Sequence, residues 1–329
     1  MQESVSKIMN ILVCGGAGYI GSHMAKMLTE RGYQVTVFDN FSTGNLWAVK
    51  WGQLYEGDLL NKEDLRNVFD QNSFNAVMHF SARSLVGESV QKPELYYHNN
   101  VVGTLNLLEA MQQVEVKQFI FSSTAATFGN PVADRINEKH PQQPINPYGW
   151  TKLMIEQILR DYATAYGINS VSLRYFNAAG ADPDGEIGEV HDPETHLIPN
   201  ILKSISGDKQ LKIFGTDYPT PDGTCVRDYI HINDLCNAHL LALNYLESHS
   251  GAFGFNLGNG RGFSIMEVLQ AVENIIGKKV SYDVEGRRAG DPPILVADST
   301  LAQQELGWEP KFKTIESIIE TAWNWEKNR

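Results

Sequence analysis

The sequence predicts an α/β protein: a doubly wound parallel sheet with a second, smaller α/β domain. Three observations carry this. Short β-rich runs alternate with helical patterns through the first half, a glycine cluster stands between the first strand and the first helix, and beyond residue 176 the texture becomes loop-rich.

Residues 10–14, 34–38, 75–80, 117–122 and 169–175 read as buried strands, and strands separated by helices imply parallel pairing. The helix after the first strand carries Ile20, Met24, Met27 and Leu28 on one face and stops at Gly32. After about Asn177 come Pro183, Gly185, Gly188, Pro193, Pro199, Pro219 and Pro221, so a domain boundary is expected between 1–176 and 177–329, with some later segments returning to pack on the first domain. One helix is clear there: Ser264 and Glu267 form a capping box ahead of Val268, Val272, Ile275 and Ile276, and Gly277 closes it.

A length of 329 residues suits about two domains. With 42% hydrophobic and 20% charged residues the chain is of the globular class. The net charge of −12, with no Lys/Arg run, argues against nucleic acid or an anionic membrane as partner, while one or two placed arginines still suffice for a small anion. Cys14, Cys225 and Cys236 are scattered and form no CxxC pair, which fits a reducing compartment. The start of the chain lacks the apolar core of a signal peptide and no run of about 18 apolar residues occurs, so a cytosolic protein is expected, with residues 1–8 a dispensable extension. The nine histidines show no HxxxH or HxH spacing, and no metal is expected.

Gly15, Gly18 and Gly21 follow a strand and open a helix, the context of a dinucleotide-binding turn. Gly15 permits the tight turn, Gly18 lets backbone N–H groups approach a pyrophosphate, and Gly21 lets the helix pack close to the sheet. Asp39 ends the second strand, eighteen residues beyond Gly21, where a carboxylate accepts from both ribose hydroxyls and disfavours a 2′-phosphate. NAD is therefore expected rather than NADP. Asp58 follows a third strand, where position alone allows a helix N-cap.

Tyr148 and Lys152 lie one turn apart at the start of a long helix running to about Tyr166. A free phenol titrates near 10, so a neighbouring ammonium and the nicotinamide charge are needed to make it a base at neutral pH; lowering it by about three units takes roughly 4 kcal/mol. Thr124 ends the strand upstream, at the carboxyl edge where ligands of such folds bind. Its hydroxyl would share a hydrogen bond with the substrate oxygen that loses its proton.

The GxxGxxG spacing and the Thr124, Tyr148, Lys152 set resemble the extended short-chain dehydrogenase/reductases, a Rossmann-fold superfamily. Segments 15–23, 86–93, 119–124, 147–152, 173–181, 213–231 and 287–293 narrow the resemblance to the UDP-galactose 4-epimerase family over nearly the whole chain. The resemblance implies a first domain that binds NAD tightly and a second that binds the UDP-sugar. It assigns Asp58 to the adenine and extends the cofactor contacts to Tyr19, Ile20, Asn40, Leu59, Phe80, Arg83, Asn99, Lys152 and Phe176. Arg227 and Arg288 would grip the diphosphate, Asp291 the uridine ribose, and Asn177 would stand beside the phosphates, with Leu197 and Phe214 further substrate contacts. His196 is either a uracil-side ligand or a loop histidine. Leu295 stands where a residue thought to gate N-acetyl sugars is large or small in relatives, so acceptance of UDP-N-acetylglucosamine is a hypothesis. A homodimer is the family's usual state.

The implied activity is interconversion of UDP-galactose and UDP-glucose by inversion at C4, through a transient 4-keto sugar and bound NADH, with Tyr148 taking and returning the proton. A 4,6-dehydratase needs an Asp-Glu pair directly after the Thr, where this chain has Ala125 and Ala126. A UDP-glucuronate decarboxylase needs a Glu at the same place. A non-catalytic NAD-binding regulator would be expected to lose Tyr148 or Lys152.

Overall fold

Residues 8–205, 207, 210–288 and 291–329 are described in a computed structural model. Residues 1–7 of the expected extension, and Ala289 and Gly290 of the 287–293 segment, lie outside the described residues. The strands are β1 (Asn10–Cys14), β2 (Gln34–Asp39), β3 (Gln53–Glu56), β4 (Ala76–His79), β5 (Gln118–Thr124), β6 (Asn169–Tyr175), β7 (Asn177–Ala179), β8 (Leu211–Phe214), β9 (Val226–His231), β10 (Ala252–Leu257), β11 (Gly262–Ser264), β12 (Tyr282–Glu285) and β13 (Ile294–Leu295).

A seven-stranded sheet runs in the order β10-β6-β5-β4-β1-β2-β3. Strands β3, β2, β1, β4 and β5 pair in parallel, with Val13 opposite Val37 on one side and Met78 on the other. Ile11, Leu12, Val13 and Cys14 are all fully buried, as a central strand covered on both faces requires. The order contains the 3-2-1-4-5-6 arrangement of a dinucleotide-binding fold, with its topological switch between β1 and β4. The five expected strands all form. Asp39 and Thr124, expected at strand ends, are each the last residue of a strand.

The helices follow their sequence signals. Tyr19–Glu30 buries Met24 and Leu28 and is followed by Gly32 at φ +84°. Ile265–Ile276 has the capping box, with Ser264 accepting from the Glu267 amide and Glu267 accepting from the Ser264 amide, and ends at left-handed Gly277.

The chain forms two compact units. The first comprises residues up to 122 with 154–172 and 242–253; the second comprises 123–153, 173–241 and 254–329. These units interleave in sequence, so the single boundary expected at 176/177 does not divide them. The reason lies in the sheet, which takes β10 from late in the chain, while β5 and β6 end among residues of the second unit. In the first unit Leu12, Phe38, Val68, Leu107, Phe119 and Leu159 form a core; in the second, Ile198, Ile201, Ile213, Tyr229, Val268 and Ile318 do so. All three cysteines are buried and none is in a disulfide among the described residues. Among the described residues, no helix is long and apolar enough to cross a membrane.

Candidate functional site

In the first unit, the ends of β1 to β4 surround a pocket at the carboxyl edge of the sheet, the place where open parallel sheets bind ligands. Gly15, Gly18, Asp39, Asn40, Asp58, Leu59, Phe80, Arg83 and Asn99 line it. The turn that opens it depends on close backbone approach. A Cβ on Gly21 would sit 2.1 Å from the Gly15 carbonyl oxygen, and one on Gly15, at φ +80°, would sit 2.6 Å from the Ser81 amide. Gly21 thus packs the helix onto the turn as expected but does not line the pocket, nor do Tyr19 and Ile20; Lys152 and Phe176 belong to the second unit.

The Asp39 carboxylate accepts from the Ala17 amide at 2.9 Å and the Phe41 amide at 2.8 Å. Burial raises its pKa, and those backbone donors pull it down. Asp58 accepts from Asn40 Nδ2 at 3.0 Å and from the Leu60 amide at 2.8 Å; the N-cap of the following helix Lys62–Gln71 is Asn61 instead, so the capping alternative for Asp58 falls. Arg83 pairs with Glu88 at 3.5 Å, and its amide donates to Asn100 at 2.9 Å. Ser42, Thr43, Gly44, Gly57, Ser81 and Ala82 also line the pocket and were not singled out from sequence. Their only sequence signal is adjacency to Asp39, Asp58 and Phe80.

Thr124, Tyr148 and Lys152 come together within the second unit. The helix Pro147–Tyr166 starts against the turn after β5, because a Cβ on Gly149 would meet the Ala126 carbonyl oxygen at 2.5 Å. Asn146 fixes that start by accepting from the Gly149 amide at 2.9 Å. Tyr148 is half-buried and Lys152 fully buried, with the ammonium 5.9 Å from the centre of the Tyr148 ring. Burial pushes the phenol up to about 12 against the hydrogen bond from Thr124, which lowers it. Reaching neutrality from there takes roughly 7 kcal/mol, more than the roughly 4 kcal/mol expected for an exposed phenol.

The second unit also gathers the residues assigned to the sugar nucleotide. Arg227 donates to both the Asp291 carboxylate and the Val226 carbonyl. Arg288 stacks on Phe214, its guanidinium carbon 4.0 Å from the ring centre. Asn177, at the start of β7, donates to the Asp228 carbonyl at 3.0 Å. Strand β13 sets Leu295 opposite Arg227, and Leu295 and Phe176 pack on an apolar cluster of Ala125, Phe128 and Ile136.

His196, just before the helix Leu197–Ile205, belongs to a cluster that histidine spacing did not reveal. Ligand atoms of Glu189, His191, Glu194 and His196 all lie within 4.8 Å of one another. The signal available in sequence was the Glu/His alternation at 189, 191, 194 and 196, not a His–His interval. Burial disfavours the imidazolium forms, yet the two carboxylates outweigh it and raise His191 to about 9 and His196 to about 10. Burial opposes ionisation of the carboxylates as well, but the histidines hold both below their ordinary range.

Residues 11–258 match the NAD dependent epimerase/dehydratase family. A UDP-glucose 4-epimerase of Halalkalibacterium halodurans is 50% identical over 320 residues, 97% of this chain and 96% of that protein. The crystal structure of a UDP-glucose 4-epimerase from Brucella ovis in complex with NAD superposes with a TM-score of 0.93 at 50% identity, covering 96% of this chain and 97% of that one. A UDP-glucose 4-epimerase from Bifidobacterium longum, in complex with NAD+ and UDP, gives 0.93 at 38% identity, covering 98% and 99%.

Proposed function

Because the chain belongs to the NAD-dependent epimerase/dehydratase family, we propose that it interconverts UDP-galactose and UDP-glucose, inverting C4 of the hexose with NAD as a resident cofactor. The observation that carries this is the Thr124, Tyr148 and Lys152 set, with Ala125 and Ala126 directly after Thr124 where a dehydratase needs its second acid/base pair.

The residues present fit NAD. Gly15 and Gly18 keep a pyrophosphate-sized approach to the first helix free of side chains, and Asp39 offers a carboxylate at the end of β2 for ribose hydroxyls. Asn40, Asp58, Leu59, Phe80, Arg83 and Asn99 complete the wall. Bound there, NAD would supply a reversible hydride acceptor for C4, with no net redox change over a turnover.

The protein's own groups move the proton and hold the substrate. Tyr148 takes the proton of the 4-hydroxyl, and the Thr124 hydroxyl orients that oxygen. Lys152, buried on the same helix face, favours the phenolate through its positive charge. Tyr148 returns the proton to the same oxygen after the ketone has presented its other face. Arg227 and Arg288 hold the diphosphate, with Asp291 taking the uridine ribose and Asn177, Leu197 and Phe214 flanking it, so that the hexose alone turns. The Arg227–Asp291 pair gives way to these contacts on binding. A homodimer in the cytosol belongs to the same reading.

Turnover of N-acetylated UDP-hexoses is a second reading, favoured by Leu295, whose side chain is intermediate in size and packs beside Phe176 and Ala125. One experiment addresses both. Purified protein without added NAD is incubated with UDP-galactose and, separately, with UDP-N-acetylgalactosamine, and the glucose-series products are quantified. Formation of UDP-glucose is the expected result; none from protein carrying bound NAD would end the proposal.

A further inference from the structure

We propose that Glu189, His191, Glu194 and His196 form a binding site for a divalent transition-metal ion of borderline softness, zinc foremost. The inference is independent of the epimerase reading.

The geometry is that of ligands converging on a point. His196 Nδ1 lies 2.5 Å from Glu189 Oε1 and 3.5 Å from Glu194 Oε1; His191 Nδ1 lies 3.2 Å and 3.8 Å from the same two oxygens. An ion about 2.0–2.2 Å from each of four tetrahedral ligands spaces those ligands about 3.4 Å apart, which falls within this range. Two imidazole nitrogens with two carboxylate oxygens suit zinc better than the all-oxygen shells that magnesium and calcium prefer.

A second observation points the same way. The Glu189 and Glu194 side chains are only 5% and 3% exposed; Glu189 Oε1 faces both imidazole nitrogens, and Glu194 Oε2 is buried with no hydrogen-bond donor among the described residues. A buried carboxylate oxygen without a donor is costly, and an ion held by the Glu194 carboxylate relieves that cost. Glu194 is held from outside: its Oε1 accepts from the Thr195 and His196 amides at 2.9 and 3.0 Å, and Lys203 stands 3.8 Å from Oε2. Such outer contacts orient metal-binding carboxylates. His196, half exposed, gives the ion a route in.

Charge and protons balance. Two imidazoliums and two carboxylates are neutral together; a divalent ion displaces both imidazolium protons to solvent, and the cluster stays neutral. All four positions are then filled by the protein, which makes the site structural, a clasp on the loop entering the helix Leu197–Ile205.

The test uses the full chain with its NAD, stripped by chelator, exposed to zinc chloride and desalted. One zinc per chain by elemental analysis is expected, together with a zinc-dependent rise in Tm and a tetrahedral cobalt(II) absorption spectrum. Glu189→Gln and His191→Asn should each weaken zinc binding at least about tenfold with bound NAD and far-UV circular dichroism unchanged. Asp184→Asn, in the nearby acidic group of Asp182, Asp184 and Glu186, should leave it intact. Absence of retained zinc in the parent protein, equal retention in folded Glu189 or His191 variants, or an octahedral cobalt spectrum overturns the site. The cobalt spectrum decides if neither variant folds.

Discussion

Lys152 lies buried one helical turn from Tyr148, its ammonium 5.9 Å from the centre of the phenol ring. At that separation the ammonium charge favours the phenolate, and the phenol starts from about 12. Lys152→Met should therefore move the acid limb of the kcat/KM profile to higher pH and lower turnover at pH 7 by about 100-fold or more. A profile that keeps its acid limb would remove Lys152 from proton transfer. Tyr148→Phe should abolish turnover while NAD stays bound.

Gly149 lets the helix carrying Tyr148 and Lys152 start against the backbone after Thr124, with Ala126 oxygen 2.5 Å from its would-be Cβ. Gly149→Ala forces these backbones apart and should cost about tenfold or more in kcat, with KM for the UDP-sugar nearly unchanged, since Arg227 and Arg288 are untouched. An unaltered kcat would show that this approach does not set the geometry of proton transfer.

Asp39 serves two purposes at once: it accepts from the Ala17 and Phe41 amides and lines the pocket. Asp39→Asn keeps a single acceptor and removes the charge. Bound NAD should fall, with affinity lowered about tenfold, and the preference for NAD over NADP should narrow because repulsion of a 2′-phosphate is gone. Calorimetric titration of both dinucleotides into cofactor-free protein measures this; an unchanged ratio would exclude Asp39 as the discriminator.

His239, buried on the helix Ile232–Tyr245, contacts the Leu235 carbonyl at 2.9 Å, and burial lowers its pKa to about 4. The unfolded chain takes up that proton near pH 6.5 and the folded chain only near 4. Its contribution is therefore complete above about pH 6.5 and lost as pH falls toward 4, amounting to about 3 kcal/mol at most. Urea denaturation at pH 7 and 4.5 should show a smaller loss of stability in His239→Asn than in the parent protein. Equal losses would mean that His239 titrates alike in both states.

The glycine turn, the strand ends at Asp39 and Thr124, the Tyr148–Lys152 interval and the capping box at Ser264 were all legible in the sequence. Each rests on periodicity or spacing within one strand, turn or helix, where backbone geometry ties residue interval directly to position. Reading chemistry from Thr124 and Tyr148 required one step more, that the carboxyl edge of a parallel sheet collects the loops. The tertiary structure alone decided the return of β10 to the sheet, the pairing of Arg227 with Asp291, the stacking of Arg288 on Phe214 and the upward push on the Tyr148 phenol. It also brought Glu189, His191, Glu194 and His196 to one point, although they are close in sequence and lie in no regular element. The physical reason is common to all of these: a loop has no period to convert spacing into direction, and burial or charge pairing belongs to whatever distant segments fold against a residue.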